Sequence, residues 1–165
     1  MMKKTKPVRL NNVIFPLFML MVFSPILWLL IITGNFLIDS LVIWMAVKFF
    51  DLPDFRTLWK KTILKVVLYG FVADLLAGAI NTILLFSLET LKPGIYPQDI
   101  YNFPGCVQAA LPAVILGGIF VYVFDRHFAF SKSGLSRREI VKISLLLAFL
   151  TAPYLTMLPM NLWAF

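Results

Sequence analysis

Two aspartates stand inside apolar runs of the chain, where a carboxylate is costly. Asp74 lies in the run YGFVADLLAGAINTILLF, and Asp39 lies in FLIDSLVIWMAVKFF. At the centre of a membrane helix, an ionisable side chain costs about 2.5–3.5 kcal/mol on insertion scales unless it is paired or hydrated. The nearest lysines along the chain, Lys48 and Lys65, stand toward the ends of the apolar stretches. The absence of a nearby basic residue favours a proton, a cation or a cationic group as the partner of the two carboxylates.

The composition of the chain predicts which kind of element carries these residues. The chain has 165 residues, of which 61% are hydrophobic and 14% are charged, and its mean hydropathy is +0.90. Soluble domains carry about 25% charged and 45–50% apolar residues. The sequence therefore predicts a single transmembrane domain, in a multi-pass protein of the plasma or inner membrane.

The apolar runs are long enough for five membrane spans. A membrane-crossing helix needs about 20 mostly apolar residues. Thr33–Asn35 is read as the tight turn of a hairpin, because one helix over 13–50 would be about 57 Å long and would exceed the bilayer. The fold class predicted is an all-α bundle of five transmembrane helices, with spans at about 13–32, 36–50, 62–88, 106–124 and 140–165.

Local signals indicate where the later helices begin and bend. Asp54 is a candidate N-cap ahead of the third span, and Ser136 with Glu139 three residues later forms a capping box ahead of the last one. Pro153 and Pro159 are expected to bend the second half of the last helix. The proline-rich segment 89–105 is predicted as an outer loop, and DRHFAFSKSGLS, which starts at Asp125, as a polar turn.

Helical rise gives the depth of the polar residues. Asp74 comes about 18 Å after Thr62, which places it near the bilayer midplane. Asp39 comes about 6 Å after the predicted turn, and Asn81 lies about 10 Å outward of Asp74. Gln108 begins the fourth span, also on the outer side.

These depths predict a polar pocket that opens outward, and its candidate substrate- or ion-binding residues are Asp74, Asp39, Asn81 and Gln108. The alternative is architectural. In that case Asp74 is protonated or hydrogen-bonded to Asn81, and the amides only link helices.

Small residues form stripes on the third and fourth spans. On the third span, helical spacing groups glycines and alanines with two polar residues, and on the fourth it groups alanines and glycines. Stripes of this kind let transmembrane helices approach closely, so the two spans are predicted to pack together. The members are Gly70, Ala73, Ala77, Gly78, Asn81 and Thr82 on the third span, and Ala109, Ala110, Ala113, Gly117 and Gly118 on the fourth.

The basic residues predict the orientation. The chain has 15 Lys and Arg residues, and all except Lys92 fall in the tail 1–12 or in the segments 48–65 and 126–142. The positive-inside rule then puts the N-terminus in the cytoplasm and Phe165 outside. The net charge of +7 therefore indicates the membrane topology of the chain and contact of its basic cytoplasmic loops with anionic lipid headgroups. It does not indicate nucleic-acid binding.

Several kinds of chemistry find no support in the sequence. With one cysteine, Cys106, and one histidine, His127, the chain has neither an intrachain disulfide nor a zinc site built from those ligands. None of the hydrolase, metalloprotease or phosphate-loop motifs is present. No cofactor or enzymatic activity is expected.

Two short stretches resemble known families. GNFLID resembles the GN-L-I-D element of lipoprotein signal peptidases, but it lies near the N-terminus, and the predicted depths of Asp39 and Asp74 differ by about 10 Å, too far to share a proton.

The stretch 71–124, with FVADLLAG and YNFPGCVQAALPAVILGGIFVYVF, resembles substrate-binding components of energy-coupling-factor vitamin transporters. That resemblance implies an outward vitamin site gated by the loop 89–105. It departs from the family in the number of spans and in the absence of Ala and Gly from 13–32.

Two classes of function follow from these patterns. The first is a channel or carrier for an ion or small solute that uses the intramembrane carboxylates, expected as a homo-oligomer because five short spans enclose little space. The alternative is an accessory or assembly subunit of a larger membrane complex, whose small-residue stripes bind partner helices.

Overall fold

The computed structural model describes residues 25–52, 54–91 and 102–159, and these ranges form an all-helical protein. Its α-helices are α1 (Pro25–Phe49), α2 (Phe55–Leu91), α3 (Gly105–Phe124) and α4 (Arg137–Leu150). A π-helical turn follows α3 at Asp125–Ala129, and a 3-10 turn follows α4 at Tyr154–Met157. Within these ranges four stretches are long and apolar enough to cross a membrane, so the chain is a multi-pass membrane protein: Trp28–Phe49, Phe55–Leu88, Gly105–Ala129 and Arg137–Met157.

The chain divides into two compact units, Met1–Gly34 and Asn35–Phe165. The described part of the first unit is the opening stretch of α1, where Ile26 and Leu29 are largely exposed. The second unit contains the rest of α1 and all the other described helices. Every site discussed below lies within this second unit.

The predicted hairpin turn at Thr33–Asn35 is wrong. α1 continues through these residues without interruption from Pro25 to Phe49. A glycine inside a helix costs only about 1 kcal/mol relative to alanine, whereas each backbone group left without a hydrogen bond in lipid costs several kcal/mol. The turn signal is therefore overridden. Most of the predicted span 13–32 lies outside the described residues, so the five-span count and the orientation stay predictions.

α2 begins at Asp54, as the sequence predicts. The Asp54 carboxylate accepts hydrogen bonds from the backbone N–H and the hydroxyl of Thr57, at 3.3 and 3.1 Å, and its carbonyl accepts one from Leu58. The helix has 37 residues and is about 56 Å long, nearly twice the hydrocarbon thickness. Its first two turns carry Arg56 and Lys60 and extend beyond the predicted span at 62–88.

Replacing Asp54 with Ala should destabilise α2 in a pH-dependent manner. The bonds from Thr57 hold the pKa of the Asp54 carboxyl below its ordinary value of 3.8. Because the folded pKa is lowered, the ionised cap stabilises the protein above the unfolded pKa, and this contribution is lost as the pH falls through the folded pKa. We expect a lower melting temperature for Asp54→Ala at pH 7 in detergent, with the difference from wild type shrinking as the pH falls below the ordinary carboxyl pKa of 3.8. A difference that persists in acid would contradict this account.

α4 begins at the predicted capping box but ends earlier than expected. The Ser136 hydroxyl accepts from the Glu139 N–H, and the Glu139 carboxylate accepts from the Ser136 N–H at 2.7 Å. The helix then ends at Leu150, so the prediction of one bent helix over 140–165 is wrong in its described part. Pro153 explains the break, because proline has no N–H to donate and disfavours helical geometry in the residue before it. The end of the predicted span, beyond residue 159, lies outside the described residues.

α2 and α3 pack together along their small-residue stripes, as predicted. Ala73 and Ala77 of α2 are buried, as are Ala109, Ala113 and Gly117 of α3. One hydrogen bond crosses this interface, from the side-chain amide of Asn81 to the Ala109 carbonyl at 3.1 Å. The predicted outer loop 89–105 lies largely outside the described residues; α2 extends to Leu91 and α3 begins at Gly105.

Gly117 of α3 also packs closely against Pro153, in the segment that follows α4. A Cβ atom placed there would lie 2.8 Å from Cδ and 3.0 Å from Cγ of Pro153. Because a proline ring cannot rotate away, Gly117→Ala should lower the free energy of unfolding by about 1–3 kcal/mol. The matched control is Gly78→Ala, also in mid-helix, where a Cβ meets no described atom within 4 Å. That change should be neutral or stabilising by up to about 1 kcal/mol. Thermal unfolding in detergent that ranks the two variants the other way would refute the packing argument.

Candidate functional site

α3 ends in a π-helical turn that positions a third acidic residue, Asp125. The Phe130 N–H donates to the Asp125 carbonyl at 2.9 Å and closes the wider ring of this turn. The ring of Phe128 stacks on Tyr69, with centroids 5.3 Å apart. Tyr69 lies about 21 Å along α2 from its start. The turn therefore lies beside the middle of α2, and the prediction of a polar turn starting at Asp125 is wrong for this first part.

The carboxylate of Asp125 is fully buried without a hydrogen-bond partner in the described part of the chain. Its exposed fraction is 0%, and neither oxygen has a hydrogen-bond partner among the described residues. More than about 90% of buried polar groups in proteins are hydrogen-bonded, so such a carboxylate requires a specific explanation. A carboxylate in this position needs compensating positive charge, which a proton or a bound cation supplies.

Asp39 is the central member of a group of three carboxylates. It is 5% exposed and lies near the middle of α1. Its charge interacts with that of Asp74 on α2 and with that of Asp125 after α3. We refer to Asp39, Asp74 and Asp125 as the carboxylate cluster. The structure thus brings together the two aspartates that the sequence predicted to lie at different depths.

Asp74 is the most accessible member of the carboxylate cluster. Its side chain is half-buried, and one carboxylate oxygen is buried without a hydrogen-bond partner in the described part of the chain. Gly70 and Gly78 stand one helical turn to either side, and a Cβ at either glycine would meet no described atom within 4 Å. Asp74 therefore lies on a face of α2 that its described neighbours leave partly uncovered.

The two amides predicted to join the site lie on α2 and α3, and neither is hydrogen-bonded to a carboxylate among the described residues. Asn81 donates to Ala109 across the helix interface, while its own side-chain oxygen is buried and unpaired within the described residues. Gln108 is exposed in the first turn of α3, and it lies about 25 Å from Asp125 along the axis of that helix. The structure therefore places Asn81 in the packing between α2 and α3 and does not bring Gln108 to the carboxylates.

A hydroxyl adds to the buried polar groups of the bundle. Ser144 of α4 is 0% exposed, and its hydroxyl oxygen has no hydrogen-bond partner within the described ranges. By contrast, the buried hydroxyl of Thr62 donates to the Leu58 carbonyl at 2.9 Å. Ser144 is therefore a buried oxygen with capacity for a ligand, on an element that packs against the π-helical turn.

The electrostatic interactions within the carboxylate cluster are between like charges, because all three members are carboxylates. The charged neighbours that act on its members are other members, Asp74 on Asp39 and Asp39 on Asp125. Among the described residues, no group of three or more His, Cys, Asp and Glu side chains is arranged to hold a metal ion. A proton needs only one carboxylate oxygen, so each of these carboxyl groups is able to bind a proton by itself.

Comparisons with known proteins give no match. No protein-family model fits the chain, and no curated protein or solved structure is similar to it. The resemblances to lipoprotein signal peptidases and to vitamin-transporter components thus remain expectations drawn from short motifs.

Proposed function

We propose that the protein is a small channel or carrier of the cell membrane that moves a cation, with the proton as its first candidate, through the carboxylate cluster. The observation that supports this most directly is Asp125, which is fully buried, has no hydrogen-bond partner among the described residues and interacts electrostatically with a second buried carboxylate. Ionisable groups inside membrane helices are costly, and in transport proteins they mark ion pathways and proton relays.

The order of the three carboxylates supports a stepwise path. Asp74 is half-buried on a partly uncovered face, Asp39 is buried and couples to both neighbours, and Asp125 is fully buried. A proton that binds Asp74 would pass to the Asp39 carboxylate and then to Asp125, leaving each donor ionised behind it. The basic segment 126–142 follows directly after the last of these residues in the chain.

Reconstitution into liposomes tests this proposal. Vesicles containing the purified protein and a trapped pH-sensitive dye would receive an inward pH gradient, with valinomycin and K⁺ to prevent charge build-up. We expect dye acidification faster than in protein-free vesicles, and parallel assays with Na⁺ and K⁺ indicators would identify another cation as the cargo. Gln108→Leu, which changes an exposed polar residue far from Asp125, should keep the wild-type rate. Equal rates with and without protein for all three cations would refute the proposal.

A second candidate function, an accessory subunit of a larger membrane complex, is favoured by the partly uncovered face of α2. Gly70, Asp74, Gly78 and Thr82 lie along it at intervals of four residues, and the last two are exposed. Such a row fits the close approach of another transmembrane helix. Native mass spectrometry of the protein in mild detergent distinguishes the two functions. A homo-oligomer is expected for a channel or carrier, whereas foreign subunits at fixed stoichiometry would favour the accessory role.

A further inference from the structure

An open groove lies between α1 and the first turns of α2, apart from the carboxylate cluster. Its volume is about 450 Å³. Phe36 and Leu37 of α1 and Phe55 and Trp59 of α2 supply most of its apolar lining. The groove is therefore an open, largely apolar surface beside the start of α2.

Hydrogen bonds and ring contacts hold the wall of this groove in place. The Trp59 indole N–H donates to the Ser40 hydroxyl at 2.9 Å, and this hydroxyl donates to the Phe36 carbonyl at 2.6 Å. The rings of Phe36 and Trp59 meet edge to face, with centroids 5.7 Å apart and planes at 76°. The groove is thus pre-formed, which lowers the entropy cost of filling it.

Two cations stand at the groove on the α2 side. Arg56 and Lys60 both line it, both are exposed, and their spacing of four residues puts them on the same face of the helix. Asp54 offsets this charge only in part: its carboxylate acts on Arg56 but is already bonded to Thr57. The groove therefore combines an apolar wall with a net positive end.

We propose that this groove binds one anionic phospholipid. The acyl chain would lie along Phe36 and Leu37, and the headgroup phosphate would lie between Arg56 and Lys60. A guanidinium matches the geometry of phosphate oxygens through paired N–H donors, and lysine stems extend along apolar surface toward the headgroup region. The arrangement of charge at one end of an apolar groove fits a lipid better than a free anion, which would not cover the apolar lining of the groove.

Thermal unfolding in detergent with added lipid tests this site. We expect phosphatidylglycerol to raise the melting temperature by several degrees more than phosphatidylcholine, and one phosphatidylglycerol to remain bound in native mass spectra. The double variant R56Q/K60Q should lose both effects. The matched control K132Q/R138Q, which removes two exposed positive charges outside the groove, should keep them.

Further outcomes separate a lipid site from general charge attraction. Leu37→Asn, at a side chain that is 61% exposed, should weaken lipid retention although the charge is unchanged. Inorganic phosphate at millimolar concentration should give no comparable shift. The proposal is overturned if K132Q/R138Q loses the preference for phosphatidylglycerol over phosphatidylcholine as fully as R56Q/K60Q does. It is also overturned if the melting temperature of wild type rises equally with the two lipids, or if phosphate alone reproduces the rise.

Discussion

Replacing Asp125 with Asn should reduce cation flux to the background of protein-free vesicles while the protein still folds. The asparagine amide has nearly the same shape as the carboxylate but neither binds a proton at neutral pH nor carries a charge. Because the wild-type carboxylate is fully buried without a hydrogen-bond partner among the described residues, its loss removes a costly buried group and should not lower the melting temperature. Flux in proteoliposomes and thermal unfolding of the same preparation measure the two effects separately.

The control for this experiment is Asp51→Asn. Asp51 is exposed and has a positive φ of 49°, a backbone geometry that asparagine also adopts readily. The same chemical change outside the carboxylate cluster should leave flux and stability unchanged. Wild-type flux in Asp125→Asn would exclude the carboxylate from the pathway. Loss of folding in Asp125→Asn would instead show that Asp125 serves the architecture of the bundle.

Local signals in the sequence predicted helix starts well because they depend on nearest neighbours. Asp54 caps α2 through Thr57, three residues away, and the Ser136–Glu139 capping box opens α4. Packing between α2 and α3 was also predictable, because small residues at helical spacing indicate close approach without reference to the rest of the fold. The coarse architecture of apolar membrane helices followed from composition alone.

The depth of Asp39 was not predictable, because it depended on the misread turn at Thr33–Asn35. A hairpin there would leave Asp39 about one helical turn from a helix end. In the continuous helix α1, Asp39 lies near the middle and its charge reaches both Asp74 and Asp125. One error in a local turn thus separated residues that the fold brings together.

Asp125 was missed because its neighbours in sequence are polar. Arg126 and His127 follow it and are both exposed, so the segment reads as a loop. The sequence signal that would have identified it is the apolar pair Ala129 and Phe130 after the polar residues. In the structure these two side chains are 1% and 0% exposed. In a π-helical turn, the wider spacing directs Asp125, Ala129 and Phe130 inward while Arg126 and His127 face out.

Phe130 should therefore be the side chain on which the position of Asp125 most depends. It is the largest fully buried side chain among the described residues, and its N–H closes the π-helical turn on the Asp125 carbonyl. Phe130→Ala keeps this N–H but leaves a cavity, and such changes cost about 3–5 kcal/mol in well-packed interiors. Phe149→Ala is the matched control, because Phe149 is 72% exposed and its removal should change stability little.

Thermal unfolding should rank Phe130→Ala far below Phe149→Ala and wild type. Cation flux at a temperature where Phe130→Ala is still folded should also fall, since the turn that carries Asp125 has lost the packing that holds it beside α2. Restoring the volume with Phe130→Leu should recover most of both losses, because only part of the cavity remains. If Phe130→Ala unfolds like Phe149→Ala, or keeps full flux, then the position of Asp125 is set by the helical backbone and not by the packing behind it.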